Sequence, residues 1–568
     1  MFSFRCTLED VLPTSRPRMS SPFKIETPPS ARQPLPAASA LGGALAGAQR
    51  LLARFPRDPR ALALRSIFPK RLPPTTTNRR IAIQAVENPF YFALFCSLYQ
   101  RLREHSDIGA ELVFVRSVSG SVGVGWRAAL LRSALFSALV SARWRRLYAG
   151  VVDRVAYRSQ SFRHPVGDVV DVLRAWAHWC KVRAGGEPFV LCIDGIEVGD
   201  LIIDSYLRFR PSPRFDAADP FTRKLVWQAH RDVRRARHYF RRSRPETYLT
   251  SYTTYLEHGI PVRVAIHEGV RVESFGSFAR FGKRLTTSDT FHTTDASHYR
   301  TDFEALDESE LRLAEAERQL SRRLSGHADT ATTYMKVSAY TPTTTPVPSN
   351  LKGAVVVFLH DFYDSPHVYA DLVFQDFWSW VCFTCDTLQE AGIPFFLKPH
   401  PNQITLSSAV MDELRAAYPT AALLDSRITN VQLVEAGVAC GVTVYGTVAH
   451  ELAFLGVPTI ACARHPHHSF DFCRTARTED QYREFLRAPY TRILDAGEMR
   501  RQALTFFYMH NLYGDAEELA LRLDFASIWK SCEDITLAPA ELARRMAAWR
   551  DSAAFGAFAS RLIEEVPR

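Results

Sequence analysis

The strongest constraint on this chain lies between residues 353 and 463, where short β-branched apolar runs alternate with helix-length amphipathic segments. The runs are Ala354-Val-Val-Val-Phe-Leu359, Pro394-Phe-Phe-Leu397, Gly441-Val-Thr-Val-Tyr445 and Pro458-Thr-Ile-Ala461, with a shorter one at Leu423-Leu-Asp425. This pattern predicts a parallel sheet covered by helices on both faces. Ligands of such sheets bind outside the carboxyl ends of the strands. Polar residues stand at those ends here: His360 and Asp361 after the first run, Lys398 and His400 after the second, Gly446 and Thr447 after a later one.

At 568 residues the chain is too long for one core and predicts two or three domains. Its 46% apolar and 23% charged residues are those of a globular protein. No run of about 18 uninterrupted apolar residues predicts a membrane-spanning helix. Arg5, Glu9 and Asp10 argue against a secretory signal, and Met19 is a second candidate start. Cys382 and Cys385 form a C-x-x-C inside an aromatic run that reads as a buried helix. Without a second pair at metal-site spacing, reduced thiols in a cytoplasmic protein are expected.

The formal charge is +10. Much of the excess sits in residues 231–244, from Arg231 to Arg244, a helix with a basic tip. A solvated helix face and a contact with an anionic membrane surface or anionic acceptor both fit. No nucleic-acid-binding motif accompanies the charge, so nucleic acid is not an expected partner.

Residues 1–78 are turn-rich and expected to be poorly ordered, apart from an amphipathic helix over residues 41–55. A strand is predicted at Arg80-Ile-Ala-Ile-Gln-Ala-Val86. A helix follows, capped by Asn88 with Pro89 first, and Phe92, Phe95, Tyr99 and Leu102 share one face. A second strand follows at residues 111–115, then a mostly helical region through Trp126, Leu130, Trp144 and Trp176, and a buried strand at Pro188-Phe-Val-Leu-Cys-Ile193.

That last strand delivers four acids, Asp194, Glu197, Asp200 and Asp204, among glycines and apolar residues. Asp200 and Asp204 share a helix face if a helix starts near Gly199. Carboxylates there either cap the helix or face a cleft as base or nucleophile. A strand predicted at Pro261-Val-Arg-Val-Ala-Ile266 would put His267 and Glu268 at its carboxyl end, with a turn at residues 268–270 as the competing reading. Residues 303–325 read as a charged helix and 341–348 as a linker. Beyond Asp471 the chain is mainly helical.

Phe358-Leu-His-Asp-Phe-Tyr-Asp-Ser-Pro-His367, Lys398-Pro-His-Pro401 and Gly446-Thr-x-x-His-Glu451-x-x-x-x-Gly456-x-Pro458 together resemble the bacterial surface-polysaccharide glycosyltransferases of GT-B fold. Within these the chain is most similar to the capsule and lipopolysaccharide Kdo transferases, which use CMP-Kdo. Teichoic acid glycerophosphate polymerases carry a similar Lys-Pro-His-Pro element, but they normally show Thr-Asp-Tyr-Ser-Ser where this chain has Val444-Tyr-Gly-Thr-Val448. The resemblance covers roughly residues 80–480 and favours Asp194, in Ile193-Asp-Gly-Ile196, as the catalytic position. Asp200, Asp204, His267 and Glu268 remain competitors.

The fold class expected is therefore α/β, with two Rossmann-like domains facing a central cleft and a helical C-terminal region. The N-terminal acceptor or catalytic domain spans 79–300, a helix and linker 301–350, the nucleotide-sugar-binding domain 351–480 and the C-terminal helices 481–568. His360, Asp361, Lys398, His400, Gly446, Thr447 and Glu451 are the expected donor-nucleotide-binding residues. Lys398, His400 and backbone N–H groups near Thr447 would bind phosphate, and Glu451 ribose hydroxyls. No cofactor and no metal are expected, only a nucleotide-sugar donor and a glycan or lipid-linked acceptor, at or near the inner face of the cytoplasmic membrane. A sugar-nucleotide epimerase of the same architecture and a catalytically silent assembly partner are the alternatives.

Overall fold

The computed structural model describes residues 59–68, 75–86, 88–114, 144–158, 165–185, 190–210, 212–276, 279–327, 340–341, 343–401 and 407–564. The helix expected over residues 41–55 and the positions Trp126 and Leu130 lie outside them. Within the N-terminal stretch expected to be poorly ordered, Pro59–Ser66 is helical. Arg60 holds it by donating to the carbonyls of Ser531, Cys532 and Asp534, at 2.6–3.1 Å. The sequence gives no local hint of these remote partners.

The first domain contains strands β1 (Arg80–Gln84), β2 (Gly109–Phe114), β3 (Arg154–Arg158), β4 (Cys192–Ile193), β5 (Ile196–Glu197), β6 (Thr247–Thr250), β7 (Arg271–Phe275) and β8 (Gly282–Leu285). Six form one sheet in the order β3-β2-β1-β6-β7-β8, parallel except for β8. The order reverses between β1 and β6, the point at which doubly wound sheets open a crevice. The helix Pro89–His105 starts as expected, with Asn88 accepting from the Phe90 N–H at 2.8 Å. Its burial is not confined to one face: Phe90 also packs against Phe525, Trp529 and Trp549 of the C-terminal helices.

Two expected strands are corrected. Of the strand expected at 188–193, the described residues 190–193 supply no central strand; among the described residues β4 pairs only with β5, in an antiparallel hairpin. Asp194 and Gly195 form its turn at φ 49° and 84°, the left-handed geometry that Asp-Gly favours in two-residue hairpins. Residues 261–266 lie inside the helix Tyr255–His267, despite Gly259 and Pro261. Gly259 serves a close helix crossing: a Cβ there would meet Leu201 Cδ2 at 2.4 Å, against the helix Gly199–Phe209. Tertiary packing overrides local propensity at this point.

The second domain contains β9 (Val355–Phe358), β10 (Phe395–Lys398), β11 (Ala422–Leu423), β12 (Cys440–Val442), β13 (Thr459–Ala461) and β14 (Cys473–Thr475). All are parallel, in the order β11-β10-β9-β12-β13-β14, with the switch between β9 and β12. The protein is thus an α/β protein of two Rossmann-like domains, the class that the alternating pattern predicts. Cys382 and Cys385 lie on the helix Phe377–Glu390 as unpaired thiols.

The helices Tyr299–Glu304 and Ser309–Leu324 share a core with Ala496–Phe507 and so belong with the second domain. The last helices return to the first domain, where Phe558 packs on Phe281 and Phe275. Among the described residues no helix is long and apolar enough to cross a membrane.

Candidate functional site

The carboxyl edges of the two sheets meet through the loop after β9. Its His367 Nδ1 lies 2.7 Å from Oδ1 of Asp204, on the first-domain helix Gly199–Phe209, and its backbone N–H points at the same oxygen at 3.4 Å. Asp204 is fully buried, and its Oδ2 has no hydrogen-bond partner. Burial pushes the Asp204 carboxyl above its ordinary range. Burial opposes charge on His367 too, but the adjacent Asp204 outweighs it and holds the imidazolium above its usual range.

Packing explains why Asp204 arrives there. The helix Gly199–Phe209 lies along Tyr255–His267, and the Ser205 hydroxyl accepts the Leu256 N–H at 2.9 Å, near the carboxyl end of β6. One turn earlier, Asp200 faces Arg263, which donates to its Oδ1 at 2.7 Å and also pairs with Oδ2. Burial disfavours the Asp200 charge, yet Arg263 holds the carboxyl below its usual range. Asp200 is thereby committed to an internal ion pair.

Three other sequence candidates lie at the opposite edge. His267 ends the helix that leaves the β6 carboxyl end, so His267 and Glu268 precede β7 instead of following a strand. Glu268 accepts from Arg237 at 2.9 Å and from Arg241 at 2.7 Å; burial opposes its charge, but the arginines hold the carboxyl low. Asp194, in the hairpin turn, gives its carbonyl to Arg237 at 2.7 Å, and a Cβ on Gly195 would lie 3.4 Å from His267. These residues form an ion-pair cluster away from the interdomain edge.

In the second domain, His360 is buried at the switch point. Its ring stacks on Phe377 at 4.8 Å, Nε2 reaches Thr443 Oγ1 at 3.2 Å, and Nδ1 is without a partner. Burial lowers its pKa to about 3, so it is neutral. Asp361 accepts the Tyr363 N–H at 3.1 Å, which shapes the loop carrying His367. Lys398, buried at the end of β10, donates to the Ser426 carbonyl at 3.3 Å, and burial lowers its ammonium pKa to about 8. His400 is half-buried; burial and then Lys398 lower its pKa to about 4, so it offers a neutral ring.

Gly446 donates its N–H to Thr443 Oγ1 at 3.1 Å, and a Cβ there would approach that oxygen to 2.8 Å. Thr447 is exposed beside it, before the short helix Val448–Phe454. Glu451 departs from the ribose-facing expectation. It is 1% exposed, and its oxygens accept from Tyr340 at 2.8 Å and Asn430 at 2.6 Å, so it orders its own domain.

Several residues at this edge had no place among the sequence candidates. Arg208 lies within electrostatic reach of Tyr255, Asp364, Asp361 and Tyr252, joining both domains. Tyr255 is held at φ 61°, a strained conformation for a bulky residue. Gln84, at the end of β1, accepts from Thr250 and Ser251 at 2.8–3.1 Å and donates toward His258 at 3.0 Å. His367 itself stands in the quoted 358–367 segment, where a second histidine behind Ser-Pro is the one available signal.

The basic helix is also reread. On Pro220–Ser243, Arg234 pairs with Asp168 and Asp171, Arg235 with Asp168, and Arg231 with Asp232 while lying over Trp227. With Arg237 and Arg241 on Glu268, most of the cluster is ion-paired within the domain. Only the tip, Arg242 and Arg244, remains exposed and outside these pairs.

What the fold and the meeting edges define is a two-domain Rossmann-like protein whose sheets come together at their carboxyl edges. No protein-family model matches the chain, and no curated protein matches it. Among solved structures it is similar to UDP-GlcNAc 2-epimerase from Neisseria meningitidis bound to UDP-GlcNAc, at 8% identity over 80% of this chain and 100% of that one, with a TM-score of 0.24. It is also similar to a UDP-glucose: anthocyanidin 3-O-glucosyltransferase in complex with UDP (11%, 80% and 99%, TM-score 0.26). A third is the wall teichoic acid polymerase TagF (9%, 89% and 100%, TM-score 0.23). Scores this low carry no weight for activity; the fold rests on the strand order above.

Proposed function

We propose that the protein is a glycosyltransferase that moves a sugar from a nucleotide-sugar donor to a glycan or lipid-linked glycan acceptor, with CMP-Kdo as the first donor to test. The observation that carries this reading is the His367–Asp204 pair joining the two sheet edges, with Lys398 and His400 at the carboxyl end of β10, the strand next to β9. A donor lying on the second domain would put its phosphate near Lys398, His400 and the backbone at Thr447. Charge on that phosphate grows as the glycosidic bond breaks, so groups aimed at it favour the transition state.

His367 then acts as the base. Its Nδ1–H is directed at Asp204, which leaves Nε2 to take the proton of the acceptor hydroxyl as that oxygen attacks the anomeric carbon. Asp204 is a positioning residue that fixes the tautomer and stabilises the imidazolium as it forms, as in other Asp–His pairs. Asp204 sits behind His367 and fully buried, which favours single displacement with inversion over attack by the carboxylate. Cationic and neutral nitrogen donors supply the phosphate contacts in this reading, and no metal is invoked.

The test is incubation with CMP-Kdo and surface-glycan acceptors, following CMP release and acceptor mass. Acceptor-dependent CMP release with addition of one sugar is the expected result. Transfer from another nucleotide sugar would keep the class and replace the donor. No transfer from CMP-, CDP-, UDP- or GDP-linked sugars would overturn it.

A further inference from the structure

The helix Pro165–Gly185 presents an apolar stripe to solvent. Val166, Val169, Val170, Val172, Leu173 and Trp176 are 40–78% exposed. Their spacings of three and four residues put most of them on one side of the helix. The opposite side is packed. Ala175 and Trp179 are buried, the Trp179 indole N–H donates to the Ala217 carbonyl at 2.8 Å, and Asp168 and Asp171 are neutralised by Arg234 and Arg235. The acids of this helix are thus turned inward. The charged residues left on its exposed side are cations: Arg174 and Lys181 along one edge of the stripe, Arg183 along the other. Exposed Arg223, from the neighbouring helix, lies over the Trp176 ring at 5.4 Å.

We infer that this face docks in the plane of an anionic lipid surface, with the valines, Leu173 and Trp176 entering the headgroup boundary and the flanking cations meeting lipid phosphates. An apolar stripe edged by basic residues is the form that interfacial helices take. A second copy of the chain is a poorer occupant, because a two-fold contact on this face would bring the same cations together. The inference is independent of the transfer reaction and relocates the membrane contact from the ion-paired basic helix to this one.

The test is flotation of the full chain with phosphatidylcholine vesicles, with and without phosphatidylglycerol, at low and physiological ionic strength. Three variants accompany it: Leu173→Gln with Trp176→Gln; Arg174→Gln with Lys181→Gln and Arg183→Gln; and, as a control at the basic tip, Arg242→Gln with Arg244→Gln. Binding to phosphatidylglycerol vesicles is expected for the wild type and the tip variant. The charge variant should lose about fivefold per cation removed, and the apolar variant about tenfold or more. Absence of wild-type binding at low salt, full binding by the apolar variant, or loss confined to the tip variant would overturn the inference. So would a change in mass by light scattering, which marks self-association, or a fall in melting temperature of the apolar variant, which marks an internally packed face.

Discussion

His367 of the second domain and Asp204 of the first are joined by a 2.7 Å hydrogen bond, with the carboxylate fully buried and the imidazole half-buried. The bond links the loop after β9 to the helix that lies along Tyr255–His267, so it reports on the alignment of the domains and, in the proposed reaction, on the group that takes the acceptor proton.

If His367 is the base, His367→Ala lowers kcat by about 10²–10⁴-fold. Its pKa is held above the ordinary value, and it must be neutral to accept a proton. The rate therefore falls as pH drops through a value above about 6.5. Asp204→Asn removes the carboxylate that raises it, so the acid limb moves to lower pH while kcat falls. A pH–rate profile of both variants checks this; an unmoved limb in Asp204→Asn contradicts the positioning role.

The same pair makes domain alignment pH-dependent. A histidine whose folded pKa is raised stabilises the fold fully below its unfolded pKa, about 6.5, and the contribution is lost as pH rises through the folded value. The raised Asp204 carboxyl acts in the same direction. The melting-temperature difference between wild type and His367→Gln is expected to be largest near pH 6 and to shrink toward alkaline pH.

Lys398 has the opposite sense. Its pKa of about 8 is depressed by burial, and a bound phosphate would restore its proton. Nucleotide binding between pH 8 and 9 should therefore take up a proton, seen as a dependence of calorimetric enthalpy on buffer ionisation. Affinity should weaken as pH rises through this range. Lys398→Met is expected to abolish the uptake and cost about tenfold or more in affinity.

Gly259 sets the spacing of the two helices that carry Asp204 to the interface. Gly259→Ala places a Cβ 2.4 Å from Leu201 Cδ2 and 2.6 Å from the Thr253 carbonyl. A loss of about 1–3 kcal/mol in denaturant unfolding is expected, with a fall in activity beyond the loss of folded protein.

Most of the second sheet was legible because its inner strands are compact apolar runs ending in polar residues, as at Val355–Phe358 before His360, whereas the edge strand β14, Cys473–Thr475, lies in the stretch beyond Asp471 that reads as helical. The first domain was less so. Pro261–Ile266 reads locally as a strand, and only the crossing at Leu201 makes it helix. Asp-Gly at 194–195 is a hairpin signal in its own right, yet the family resemblance drew attention to it as chemistry. Asp200 and Asp204 are equivalent by spacing; Arg263 and His367, distant in sequence, decide that one is structural and the other reaches the interdomain edge. The arginines of 231–244 look solvated until Asp168, Asp171 and Glu268 are brought beside them.

The most direct test of the account is calorimetric titration of the full chain with CMP, CDP, UDP and GDP, with His400→Ala alongside. Binding of one of these nucleotides, CMP foremost, weakened about tenfold or more in His400→Ala, is the predicted result. Absence of binding by all four, or binding indifferent to His400→Ala, would contradict a nucleotide-sugar site at the carboxyl edge of the second sheet.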